Sequence, residues 1–150
     1  MFGARRRSVR VLVVDDDPGF RELLAFVVRV DTAAEVVGQA GDGDEAVRLA
    51  EELLPDLVLM DLRMPKLNGF EATRRIAARV GNAEILVISS TTEPGDVARA
   101  LEAGAAGFLP KDRVVAELPE LVAQFRPGHK QMRRAWQMPL LRPSQMTPNA

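Results

Sequence analysis

An open, doubly wound parallel α/β sheet is the fold this sequence predicts, and three observations predict it. Short runs rich in Val, Leu and Ile recur along the chain and are apolar on successive residues, as strands covered on both faces must be. Segments of helical period, about ten to thirteen residues long, separate those runs. Five such strand–helix units fit within residues 9–125, whereas a closed barrel needs about eight. Helices then cover both faces of the sheet.

The elements follow in order. Val9 to Val14 is apolar except for Arg10 and reads as a buried strand. Pro18 suits the first turn of a helix whose Phe20, Leu23, Leu24, Val27 and Val28 recur at helical spacing. Glu35 to Gly38 is a short strand. Asp42 or Gly43 opens a second helix with Ala46, Leu49, Ala50 and Leu53 on one face, and Pro55 stops it. Asp56 to Met60 is the next buried strand, Gly69 to Val80 a third helix, and Ile85 to Ile88 a fourth strand. Thr92 to Ala103 is a helix, with Glu93, Pro94 and Asp96 near its start. Gly104 and Gly107 bracket a turn before a very short fifth strand, Phe108 to Leu109. Val114 to Phe125 is the last helix, interrupted or kinked near Pro119.

Composition narrows the function. A chain of 150 residues suits one domain, and 47% hydrophobic residues supply a core. The absence of Cys excludes disulfides, thiolate nucleophiles and Cys-based zinc sites. The apolar run after Arg5, Arg6 and Arg7 is too short for a signal peptide or a spanning helix, so the expectation is a cytoplasmic protein with no membrane partner. The net charge of −1 hides an asymmetry: residues 9–125 hold 12 of the 20 Lys+Arg and all 21 Asp+Glu, a balance of −9. Such a body discourages nucleic-acid binding. The ends are basic, with Arg126, Lys130, Arg133, Arg134 and Arg142 in a tail that has no acid.

In open parallel sheets the ligand site lies beyond the carboxyl ends of the strands, where strand order reverses. Asp15, Asp16 and Asp17 follow the first strand, Asp61 the third, Ser89 and Ser90 the fourth, and Lys111 the fifth. All arrive at one rim. Taken singly they are bland: Asp17 before Pro18 serves as a helix N-cap, Ser89 as a cap, Lys111 as a solvated charge. Together they are not. Crowded carboxylates repel one another, and a hard divalent cation such as Mg²⁺ resolves the conflict. Such a metal neutralises charge on a transferring phosphoryl group. A carboxylate is a competent nucleophile, forming an acyl phosphate, and a lysine can pair with it or with the phosphoryl group.

These same residues resemble the response-regulator receiver domains of two-component signalling. "VRVLVVDDDPGFRELL" is similar to that family's opening strand, acidic pair and first helix; "PDLVLMDLRMPKLNGFEATRRI" to its phosphorylation strand and loop; "ILVISS" to its hydroxyl-bearing strand end; and "GAAGFLPKD" to its lysine strand. The resemblance covers about residues 9–125. It implies a flavodoxin-like sheet of strand order 2-1-3-4-5, with Asp61 as phosphoacceptor from a histidine kinase or phosphotransfer protein. It further implies a Mg²⁺ site, with Mn²⁺ as substitute, formed by Asp16 directly, Asp15 through water, Asp61, and the backbone carbonyl of Arg63. Ser89 takes the hydroxyl position and Lys111 the lysine position. Phe108 takes the aromatic switch position, against the plainer reading of a core or half-exposed aromatic. Pro65 and Gly69 shape the loop. The output surface, and a possible homodimer contact, is the face of the fourth helix, fifth strand and fifth helix, with Arg99, Glu102, Phe108 and Arg113.

Two residues depart from the common pattern. Asp112 follows Lys111 where many receivers have proline, a form that resembles receivers joined to helix-turn-helix, LuxR-type output domains. Pro110 removes a donor from the last strand and bears on where the lysine sits. Two rivals remain: a metal-dependent aspartyl hydrolase, for which the short connections leave little pocket material, and a phosphorylation-independent pseudo-receiver scaffold. The organisation expected is a basic arm 1–8, a receiver 9–125 and a basic tail 126–150, either flexible or a short helix carrying Met132, Ala135 and Trp136 on one side. His129 reads as a solvated residue, not a phosphodonor. No helix-turn-helix is legible in the tail, so specific DNA binding is not expected. The chain reads as a stand-alone receiver or as a regulator whose output domain is degraded or absent.

Overall fold

The computed structural model describes residues 7–127 except Thr92. Arg5 and Arg6 of the basic arm, and His129, Met132, Ala135 and Trp136 of the tail, lie outside the described residues.

Five parallel strands form one sheet in the order β2-β1-β3-β4-β5: β1 (Arg10–Val14), β2 (Glu35–Ala40), β3 (Leu57–Met60), β4 (Glu84–Ser89) and β5 (Gly107–Pro110). The three central strands are buried almost throughout, which is why their sequences show no alternation. The helices are α1 (Pro18–Asp31), α2 (Gly43–Leu53), α3 (Gly69–Arg79), α4 (Pro94–Ala103) and α5 (Val114–Gln124), the last preceded by one 3₁₀ turn, Lys111–Arg113. Helices α1 and α5 pack side by side, and α2, α3 and α4 pack in succession. The core therefore lies in two layers, one on each side of the sheet.

Local chemistry sets the helix ends. The Asp17, Asp42 and Asn68 side chains accept hydrogen bonds from the backbone N–H of Gly19, Glu45 and Glu71, capping α1, α2 and α3. Gly104 ends α4 at φ 115°, a left-handed conformation that favours glycine.

The structure shifts some expectations. Strand β2 runs past Gly38 to Ala40 because β1 pairs with it that far, with an irregularity between Val11 and Leu12. Helix α4 opens at Pro94, inside the expected start at Thr92. Helix α5 is one unbroken element through Pro119. Pro119 supplies no N–H to the Val115 carbonyl one turn back, in a turn where Val115 is exposed. Phe108 is 2% exposed and belongs to the core, so it is removed from the set of surface residues on the α4–β5–α5 face; Arg99 and Glu102 stay exposed and Arg113 is half-buried.

Candidate functional site

Backbone pairing brings the acids together. Val14 lies opposite Met60 in the β1–β3 ladder, so Asp15 and Asp61 are the next residue on each strand. The Asp61 N–H donates to the Val14 carbonyl at 3.0 Å, and the Asp15 N–H to the Ala40 carbonyl at 3.1 Å. This is the point where strand order reverses, with β2 on one side of β1 and β3 on the other. Carboxylate oxygens of Asp15, Asp16 and Asp61 all lie within 4.8 Å of one another. Asp15 and Asp61 are buried and Asp16 is exposed. Asp17 does not join them; it caps α1.

Lys111 completes the cluster. Ser89 lies opposite Pro110 in the β4–β5 ladder, and the lysine follows directly. Its Nζ is 2.9 Å from Oδ2 of Asp15 and 3.6 Å from Oδ1 of Asp61. Pro110 sits at the end of an edge strand, where the missing N–H breaks no central ladder, and the lysine still reaches both acids. The face of Phe20, on the first turn of α1, lies 4.5 Å from the same ammonium.

The surroundings set the charge states. Burial, then the neighbouring Asp15 charge, push the Asp61 carboxyl up to about 7, against the opposing pull of Lys111 and the Arg63 N–H. Burial works against the Lys111 ammonium, but Asp15 and Asp61 outweigh it and hold its pKa above the usual range. One oxygen of Asp15, Oδ1, accepts from the Asp17 N–H at 2.8 Å. The other, Oδ2, is buried and faces the Lys111 ammonium at 2.9 Å. Three close carboxylates, whose charge one lysine only partly offsets, fit a hard divalent cation, so the donor set is capable of holding one.

The remaining residues frame this rim. Ser89 is fully buried, and its hydroxyl accepts from the Thr91 N–H at 3.2 Å. Arg63 meets the site through its backbone while its guanidinium pairs with Asp96 of α4 at 2.9 Å. Gly69 is required by space: a Cβ there would stand 2.1 Å from the Asp61 carbonyl oxygen. The loop between β3 and α3 can fold back over the acceptor only because that atom is absent. Phe108 pairs with Val87 between β4 and β5, two residues before the level of the Ser89 end.

Sequence reasoning did not find Phe20 as a neighbour of Lys111, Asp96 as the partner of Arg63, or Arg21, whose guanidinium donates to the Asp15 carbonyl at 2.8 Å. Arg7, read as part of the basic N-terminal arm, makes a bidentate pair with Asp56 at 2.7 and 2.8 Å.

A parallel five-stranded sheet with this acid–lysine rim defines a receiver, and the chain belongs to that family: residues 11–123 match the response regulator receiver domain. Among individual relatives, it is 37% identical over 124 residues to the transcriptional regulatory protein LiaR of Bacillus subtilis, covering 83% of this chain and 59% of that protein. It is 45% identical over 121 residues to a protein-glutamate methylesterase/protein-glutamine glutaminase of Myxococcus xanthus, covering 79% of this chain and 33% of that one. The chain thus spans less than two thirds of either relative, and their names carry different activities, so the receiver is the shared part. Of solved structures, the response regulator domain of Thermotoga maritima CheB superposes with a TM-score of 0.73 at 38% identity, over 79% of this chain and 96% of that one. The receiver domain of the putative response regulator NarL from Mycobacterium tuberculosis superposes with a TM-score of 0.70 at 35% identity, over 79% and 99%. No helix among the described residues is long and apolar enough to cross a membrane.

Proposed function

We propose that the chain accepts a phosphoryl group on Asp61 from the phosphohistidine of a sensor kinase or phosphotransfer protein and signals by a changed protein-interaction surface. The observation that carries this reading is the convergence of Asp15, Asp16 and Asp61 within 4.8 Å, with Lys111 at 2.9 and 3.6 Å from two of them. Asp16 and Asp61 directly, Asp15 through water, and the Arg63 carbonyl would hold a divalent cation, Mg²⁺ with Mn²⁺ as substitute, which would supply positive charge toward a transferring phosphoryl group.

The chain's own residues do the rest. An ionised Asp61 oxygen attacks phosphorus in line; the P–O bond forms as the P–N bond to the donor imidazole breaks, and the leaving nitrogen keeps the electron pair. Lys111, held by Asp15, is released from Asp61 and pairs with the new phosphoryl group. The Ser89 hydroxyl turns from Thr91 to donate to a phosphoryl oxygen, and Phe108, packed between the same two strands, adjusts with it. The readout is the α4–β5–α5 face, with Arg99, Glu102 and Arg113, used for a partner or for a second copy. The receiver spans 9–125 between a basic arm, 1–8, and a basic tail, 126–150, and works in the cytoplasm.

The test is intact mass after incubation with Mg²⁺ and acetyl phosphate. The expected result is a labile gain of one phosphoryl group that needs Mg²⁺ and is absent from Asp61→Asn. A folded protein that binds no metal and gains no mass from either acetyl phosphate or a phosphorylated kinase would favour the pseudo-receiver scaffold.

A further inference from the structure

Helix α1 carries an apolar stripe that no described residue covers. Leu23 is 36% exposed, Phe26 60% and Val30 61%. Their spacing of three and four residues puts them on one outward face, while Leu24, Val27 and Val28 are buried against the sheet. An aromatic and two aliphatic side chains aligned in water mark a contact surface.

The charges beside the stripe identify its partner. Glu22 and Arg29 are both exposed. Seven residues apart, they fall within about 20° of each other around the helix, on one edge of the stripe, and stand about 10.5 Å apart along its axis, too far to pair. Neither has an ion-pair partner among the described residues, Glu35 at the start of β2 included. Leu23 and Val30 are also seven apart, with Phe26 between them. The stripe therefore matches itself when reversed. Turned end for end about Phe26, it lays Leu23 on Val30 and brings Glu22 to Arg29. In an antiparallel pair of identical helices the same edge of each meets, so the acid and the base arrive on the same side of the seam. Other charges nearby leave this match intact. Arg21 is turned inward, its guanidinium on the Asp15 carbonyl. Phe20 over Lys111 marks the edge of α1 toward α5, opposite the edge with Glu22 and Arg29. Of the α5 acids, Glu117 is paired with Arg113, and Glu120 stands with it, Leu121 and Gln124 around a hollow of α5. The acidic body repels its own copy, with a balance of −9, but this face carries one acid and one base and is neutral.

We propose that two copies of this chain pair through α1, antiparallel about a two-fold axis at Phe26, with Leu23 of each on Val30 of the other and Glu22 beside Arg29. The two Phe26 rings meet as an aromatic pair. One helix face per copy is smaller than the ~800 Å² per partner of a standard interface, so the pair is weak and forms reversibly. The face is separate from α4–β5–α5, and the pairing stands independently of phosphoryl transfer.

Sedimentation equilibrium of the full, unphosphorylated chain between roughly 10 µM and 1 mM tests this. The expected result is a mass that rises with concentration from one chain toward two. Phe26→Ser, at an exposed position, is expected to hold the mass at one chain with the far-UV circular dichroism unaltered. Charge reversal reads the register. Glu22→Arg sets Arg against Arg29 of the second copy, and Arg29→Glu sets Glu against Glu22, so each variant alone is expected to lose association. An equal mixture of the two restores an acid opposite a base at both ends and is expected to associate at least as well as the parent. A parent that stays at one chain throughout would overturn the proposal. So would association that survives Phe26→Ser, or a mixture that associates no better than either charge variant alone.

Discussion

Asp61 is the residue on which burial and charge conflict most. Its carboxyl is raised from 3.8 to about 7 by burial and by Asp15. The folded chain therefore holds this proton more tightly than the unfolded chain does. The resulting stability is fully present below about pH 4 and is lost as pH rises through about 7, above which the ionised acid is a constant penalty. Asp61→Asn, which removes the charge and keeps the shape, is expected to raise stability in chelator at pH 8 by roughly 1–3 kcal/mol, with a gap that closes toward pH 4. Urea denaturation at the two pH values checks this, and an equal gap at both would refute it. At Gly69 the conflict is steric. Gly69→Ala must move the Asp61 backbone or the α3 start, at a cost of about 1–3 kcal/mol by the same denaturation assay. Both residues were legible in sequence, Asp61 as the acid that ends an apolar run and Gly69 as a glycine in the loop after it. Phe20 was not, because its place over Lys111 depends on how the first turn of α1 packs against the end of β5.

At the scale of elements, helix ends and one proline carry the testable energetics. Asp42 accepts from the Glu45 N–H at 2.9 Å and pairs with Lys66, whose backbone sits at φ 62° in the loop after β3. Asp42→Ala is expected to cost about 1 kcal/mol, mostly as the lost cap, since an exposed ion pair adds little. Pro119 interrupts the hydrogen bonding of α5 without breaking the helix. Pro119→Ala restores an N–H facing the Val115 carbonyl and is expected to stabilise by roughly 1 kcal/mol after the unfolded-state entropy returned by losing proline. A destabilised variant in thermal unfolding would mean that the ring's packing outweighs the missing bond. The sequence announced each of these features by residue type. It did not announce that α5 runs unbroken through its proline, because residue type alone argues for a break there and tertiary packing overrides it.

For the whole molecule, an acidic rim only partly neutralised by Lys111 is expected to make stability depend on divalent metal. Mg²⁺ at about a hundredfold over its dissociation constant adds about 2.7 kcal/mol to a chain that binds it only when folded. The increment is expected to shrink as pH falls through about 7, because Asp61 must ionise to ligate. Melting temperatures with and without Mg²⁺ between pH 6 and 8 test it, and a melting point insensitive to Mg²⁺ throughout would rule out the metal site. Asp61→Asn should gain less from Mg²⁺ than the parent does.

The sequence by itself determined the five strand–helix units, their order along the chain and the rim to which Asp15, Asp16, Asp61, Ser89 and Lys111 are delivered. Periodicity and burial act locally, and each polar residue follows its strand directly. The tertiary structure decided how far β2 pairs with β1, that Phe108 is core, that Arg7 binds Asp56 and Arg63 binds Asp96, and that Leu23, Phe26 and Val30 face outward together. These depend on distances between elements far apart in sequence, where only the packed sheet brings one surface to another.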